Sequence, residues 1–199
     1  MASAARPATD FAAARRAMID SQLRTSGVNE PWVLARLSAV PREDFVPAQV
    51  REVAYIDRAV PANGGGMLAA PLFYGRMLSE AKPAATDRVL VIDGGSGYLA
   101  ALLQGLAAKV DTIAAGDAVN AKKKGDYTLL LIDGAVEELP GSLAGRLADE
   151  ARVVTGTVTN GVTKLAIGRK AGGAIALLPL AEMGIPRLPA FDKPKAWSF

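Results

Sequence analysis

The chain has 199 residues, half of them apolar and 22% charged, with a net charge of +3; this suits one domain with a sizeable core and the balance of an ordinary globular protein. It contains no cysteine and no histidine, which excludes disulfides, thiolate metal sites, a cysteine nucleophile and the usual general base, and favours chemistry whose nucleophile is already charged. No apolar run approaches the ~18 residues of a membrane span, no nucleic-acid motif is present, and no metal site is expected.

Met1 to Asp10 lacks the apolar stretch of a secretory signal and reads as a loose tail. Residues 11–87 read as a helical cap. Phe11, Ala14, Met18 and Leu23 have helical spacing, with Asp10 as N-cap and Gly27 as the stop. Asn29 is placed to cap a second helix that tolerates Pro31 in its first turn and closes at Pro41. Gly64 to Gly66 read as a flexible loop, and Pro71 opens a third helix carrying Leu72, Met77 and Leu78 inward.

Residues 88–199 read as a sheet core. Val89-Leu90-Val91-Ile92 is short, β-branched and apolar, as a strand buried on both faces should be. It runs into Asp93-Gly94-Gly95-Ser96-Gly97-Tyr98 and a helical pattern over Leu99–Ala107, the start of a βαβ unit. Val110–Ile113 and Tyr127–Ile132 are further strands, Ser142–Glu150 a helix and Arg152–Val158 a strand. Thr163–Gly168 and Ala174–Leu180 flank a Gly172-Gly173 turn and pair as an antiparallel hairpin. The pattern predicts an α/β, three-layer, Rossmann-like fold, mostly parallel, with an antiparallel C-terminal hairpin.

In such sheets ligands sit beyond the carboxyl ends of the strands, where two loops belong. One is Asp93, Gly94, Gly95, Ser96 and Gly97; the other begins at Asp133. Glycines let backbone approach a ligand closely, and the carboxylates can accept from its hydroxyl or amino groups or cap the next helix. A nucleotide-like ligand is the functional reading; glycines present for steric reasons alone is the plain one. Ala100 satisfies the dinucleotide pattern only in its looser form, and the hairpin argues against a dinucleotide oxidoreductase. The run Lys122-Lys123-Lys124 reads as a solvated loop, with a phosphate contact as the sharper alternative.

MIDSQLRTSGV (Met18–Val28), VPREDFVP (Val40–Pro47), Ala54-Tyr55 with Asp57, Ala69-Ala70-Pro71 and the Gly-Ser-Gly-Tyr turn resemble the protein-L-isoaspartate O-methyltransferases. The resemblance implies a seven-stranded methyltransferase sheet and a cytoplasmic protein-repair enzyme. It would move a methyl from S-adenosylmethionine to an isoaspartyl carboxylate in damaged proteins. That acceptor, with a reference pKa of roughly 4, is ionised at neutral pH and needs no histidine. Asp93, Gly94, Gly95, Ser96, Gly97 and Asp133 would then bind the cofactor, and Leu68, Ala69 and Pro71 the acceptor. Four positions depart from the family pattern: Val91 replaces the acid before the glycines, Asp93 the first glycine, Ala69 a Ser or Thr beside the acceptor, and Ala114 the acid holding the ribose hydroxyls.

Two readings stand: an isoaspartyl methyltransferase, or a catalytically impaired relative that binds a ligand or a protein. Ala114 to Asp126 is short for the helix, strand and loops the family places there. Either a segment is absent from the sequence at or just after Ile113, so that Ala114 is no ribose-site substitution, or the chain is continuous. A continuous chain would mean a shortened fold and favour the binding reading.

Overall fold

The computed structural model describes residues 10–119 and 124–194; the expected N-terminal tail, and Lys122 and Lys123 of the basic run, lie outside the described residues. Asp10 caps helix α1 (Phe11–Met18) by accepting from Ala13 N at 3.0 Å, and a π turn follows over Ile19–Leu23. Gly27 ends the stretch at φ +81°. Helix α2 (Pro31–Ala39) starts on Pro31, but Glu30 rather than Asn29 holds the cap position, without a side-chain cap. A 3-10 turn over Arg42–Phe45, another over Ala48–Val53 and the two-residue strands β1 (Val60–Pro61) and β2 (Met67–Leu68) lead to helix α3 (Pro71–Ala81). There Pro71 occupies the first helical position, where its missing N–H costs nothing. Phe73, Tyr74, Met77, Leu78 and Ala81 form the buried stripe.

The sheet is ordered β4 (Lys109–Ala114), β3 (Arg88–Asp93), β5 (Tyr127–Val136), β6 (Leu147–Thr159), β7 (Val162–Ala171), β8 (Ala174–Glu182). The first three pairings are parallel and the last two antiparallel. The expected hairpin is present, turning through Gly172 and Gly173 at φ +56° and +82°. Side chains of a strand alternate between faces. Accordingly Val89, Val91, Leu129 and Leu131 join the core beneath α1–α3, while Leu90, Ile92, Leu130 and Ile132 join the one on the opposite face. Each such side chain contributes about 1.5–3 kcal/mol by burial. The second face is covered by helix α5 (Ala115–Val119), a 3-10 turn over Gly141–Arg146, and the C-terminal residues Leu188 and Phe191.

Three expectations are corrected. The sheet has six strands among the described residues, not seven, because β4 ends at Ala114, β5 starts at Tyr127 and a five-residue helix follows β4 directly. Ser142–Glu150 is not a helix: after the 3-10 turn the chain enters β6 at Leu147, drawn into pairing with β5 and β7. The helix after the glycine turn, α4 (Tyr98–Leu103), stops short of Ala107, where Gln104 turns extended and Gly105 takes φ +76°. Ile113 and Ala114 pair with Ile92 and Asp93 of β3, and α5 starts at the next residue.

Candidate functional site

β3 delivers Asp93 to the carboxyl edge of the sheet. Its Oδ1 accepts from Gly97 N at 2.9 Å and closes the turn, in which Gly95 and Gly97 sit at φ +98° and +69°. Those left-handed conformations explain both glycines. The Gly64–Gly66 loop is not free, as expected from sequence, but lies on this turn. A Cβ on Gly66 would come within 1.8 Å of Gly94 O, and one on Gly64 within 2.2 Å of Gly95 O. Bare backbone on both sides is what permits the contact.

A cleft of about 350 Å³ opens here between Gly64–Gly66, Asp93–Gly95, Ala114–Ala115 and Leu188–Ala190. Its size lies in the range of small-molecule sites. Asp93, Gly94 and Gly95 line it; Ser96, Gly97 and Asp133 belong to the same sheet edge but do not line it. Asp133 is buried, 2% exposed, behind the turn, and its Oδ2 accepts from Ser96 Oγ at 2.7 Å. Ser96 Oγ in turn accepts from Tyr98 N at 3.2 Å. Burial first, then the neighbouring Asp93 charge, raise the Asp133 carboxyl to about 6, against hydrogen bonds from Ser96 and Tyr74. Val91 is fully buried, so no carboxylate stands where the family's acid would, and Ala114 brings none to the end of β4.

The residues expected on the acceptor side form a second group. Leu68, Ala69 and Pro71 are buried, and of that run Ala70 borders a larger cavity of about 640 Å³ between Arg58, Phe73, Thr163, Glu182 and Ile185. Both main-chain groups of Ala69 are held by side chains. Its N–H donates to Tyr74 OH at 3.2 Å, and its carbonyl accepts from Arg42 Nη2 at 2.8 Å.

Arg42, fully buried, also donates to Ala54 O at 2.7 Å and lies 5.8 and 5.3 Å from the ring centroids of Tyr74 and Tyr98. Next to it, Tyr55 donates to Glu43 and accepts from Arg15 Nε at 2.9 Å; burial and Glu43 raise its hydroxyl to about 12. Arg42 and Tyr74 were not legible as site residues. VPREDFVP read as a rigid turn, which it is, and nothing local shows that its arginine points inward. Among the described residues no group of acidic side chains is arranged to hold a metal ion, and no helix is long and apolar enough to cross a membrane.

Residues 13–119 match the model of the family described as protein-L-isoaspartate(D-aspartate) O-methyltransferase. The chain belongs to that family. The protein-L-isoaspartate O-methyltransferase of Koribacter versatilis is 32% identical over 192 residues, spanning 84% of this chain and 86% of the relative. The Methanoregula boonei enzyme is 34% identical over 165 residues, spanning 70% and 76%. Other similarities are shorter: that to the Rhodopseudomonas palustris protein, 41% over 106 residues, spans 43% of the relative.

The isoaspartyl methyltransferase fold is also found in a Plasmodium falciparum structure solved with S-adenosyl-L-homocysteine. It covers 92% of this chain and 99% of that one at a TM-score of 0.67 and 17% identity. The Koribacter alignment is 192 residues long and takes in 84% of this chain of 199, about 167 residues, so about 25 aligned positions of that relative lack a counterpart here.

Proposed function

We propose that the chain is a cytoplasmic, S-adenosylmethionine-dependent carboxyl methyltransferase acting on isoaspartyl residues of damaged proteins. The observation that carries this reading is the adjacency of two sites. The glycine turn Asp93–Gly97 borders a cleft of cofactor size, and the Gly64–Gly66 loop that lies on it continues through β2 to Ala69. Membership of the family supplies the reaction class.

The residues present fit the cofactor at the turn. Gly94 and Gly95 leave the backbone free of Cβ atoms, and Asp93 offers a carboxylate; Ala114 is the poor match, leaving the ribose hydroxyls no acid. When bound, the cofactor supplies a methyl on a positively charged sulfur. The protein's part is alignment. Ala69, held at both main-chain groups, sets the acceptor side, and the larger cavity beside Ala70 receives the polypeptide flanking the isoaspartyl residue. The acceptor carboxylate would take the methyl already ionised, with no proton for the protein to remove, so the lack of histidine is no obstacle. Orientation of this kind supplies up to roughly 7–11 kcal/mol of barrier lowering.

A second reading, a family member that binds but does not catalyse, rests on Ala114 and Ala69, which bring no acid and no hydroxyl to the positions where the family pattern has them. Calorimetric titration with S-adenosylhomocysteine, followed by methyl transfer to an isoaspartyl peptide, separates the two. Binding with turnover supports the transferase; binding without it supports the second reading; absence of binding overturns both.

A further inference from the structure

Three parallel strands begin side by side at the end of the sheet opposite the glycine turn. Arg88 opens β3 and pairs in register with Lys109, which opens β4. Tyr127 opens β5 and pairs with Leu147, so Arg146 stands directly before β6. At the usual rise of a strand, Arg88 is roughly 17 Å from Asp93 along β3. A pocket of about 190 Å³ lies at this amino edge. Residues Lys124 to Asp126 form its loop wall, tied down where Gly125 N donates to Gly145 O at 3.2 Å. Glycine permits that approach, since a Cβ on Gly125 would come within 2.6 Å of Arg146 O.

Four cations line the pocket: Arg88, Lys109, Lys124 and Arg146. Two of them are engaged. Arg88 Nε lies 3.1 Å from Asp126 Oδ2, and Lys109 Nζ lies 2.7 Å from Asp111 Oδ2. The Tyr127 hydroxyl also donates to Asp111. Arg146 has no such partner. It is 6% exposed, its guanidinium is 6.0 Å from the Tyr127 ring centroid, and its buried Nε makes no hydrogen bond among the described residues. A guanidinium taken out of water without an anion is costly. Four cations against two carboxylates, Asp126 and Asp111, leave an excess of two positive charges.

We propose that this pocket binds a phosphate dianion, free or as a phosphomonoester, with Arg146 as the buried anchor and Lys124 at the mouth. A dianion cancels the excess charge, where a carboxylate would cancel half of it. The planar fork of a guanidinium matches two phosphate oxygens at once. The volume is below the roughly 300–1,000 Å³ of pockets for larger ligands, so a compact anion fits and a whole nucleotide does not. The basic run that ends in Lys124 has a phosphate contact as its sharper sequence reading, and Lys124 lines the pocket. This site lies at the other end of the strands from the cofactor-sized cleft and is independent of the methyltransferase reading.

The test is calorimetric titration of the full chain with inorganic phosphate at low salt and about pH 8, where the anion carries close to two charges. We expect one phosphate per chain with a Kd of about 1 mM or tighter. Lys124→Gln, at an exposed loop position, should weaken binding about three- to fivefold without changing the melting temperature. Arg146→Gln should weaken it by roughly tenfold or more. Arg16→Gln, which removes the same charge from an exposed position of α1, should leave it within about twofold. Phosphoserine tells the two sources apart: binding as tight as phosphate assigns the site to phosphomonoesters, weaker binding assigns it to the free ion, and either supports the proposal. No binding by the unaltered protein at about 20 mM phosphate, equal weakening by Arg16→Gln, or acetate bound as tightly as phosphate overturns it. Should Arg146→Gln fail to fold, Lys124→Gln decides, and an unchanged affinity there overturns the proposal.

Discussion

Arg42, from the VPREDFVP string, reaches the carbonyl of Ala69, 27 positions further along the chain, at 2.8 Å. The string with the most specific resemblance to the family thus supports the residue that the proposed function sets beside the acceptor. Its guanidinium makes two charged hydrogen bonds to main-chain carbonyls and lies near two tyrosine rings. Lysine has neither the planar fork nor the reach to serve both carbonyls. Arg42→Lys should therefore cost roughly 3 kcal/mol of unfolding free energy, the scale of losing one charged hydrogen bond from a buried site. Urea denaturation measures it; a loss under 1 kcal/mol would show that Arg42 carries little of the fold.

Ala69 offers the acceptor carboxylate no hydroxyl. Ala69→Ser should raise methylation of an isoaspartyl peptide about tenfold, since a hydrogen bond to a charged group contributes roughly 1.5–3 kcal/mol. The position is 1% exposed, so the new hydroxyl has no water to satisfy it and gains most when the acceptor is bound. Equal turnover in both proteins, with cofactor binding intact, would place the acceptor elsewhere.

Ala114 sits across from Asp93 in the β3–β4 pairing and borders the cofactor-sized cleft. Ala114→Glu should tighten S-adenosylhomocysteine about tenfold by giving the ribose hydroxyls a carboxylate to donate to. Weaker binding would mean that the ribose lies away from the end of β4.

Asp87 gives a pH-dependent test of the fold. Burial opposes its ionisation, but Arg152, the Ala84 N–H and Thr128 hold the carboxyl below its ordinary 3.8; the Arg152 contact is 2.5 Å. A lowered folded value means stability that is present above the ordinary value and lost as pH falls through the lowered one. Asp87→Asn should accordingly be less stable at pH 7 by about 1–3 kcal/mol, and its deficit should shrink as the pH drops below about 4. A deficit that is independent of pH would mean that the charge of Asp87 does not matter.

Local pattern carried much of the architecture. Near-continuous apolar runs at Val89–Ile92 and Tyr127–Ile132 became the two central strands, because a sheet covered on both faces needs apolar side chains on both. Pro71 and Asp10 began their helices, and Gly172-Gly173 turned its hairpin, for reasons contained in a few adjacent residues. Leu147–Glu150 went the other way. Its leucine, alanine and acids suit a helix, but Leu147 pairs with Tyr127 of β5 and the strand runs on into Arg152–Thr159, which β7 pairs along its length.

By itself, then, the sequence determined the fold class, the family and the two loops at the carboxyl edge of the sheet, since each rests on short-range periodicity, turn chemistry or motif order. Only the tertiary structure decided that Asp133 lies behind the turn rather than in the cleft, that Arg42 and Tyr74 hold Ala69, and that the sheet has six strands among the described residues. These depend on which distant residues meet. Burial, unpaired atoms and shifted titration belong to the surroundings of a side chain, and those surroundings exist only once the chain has folded.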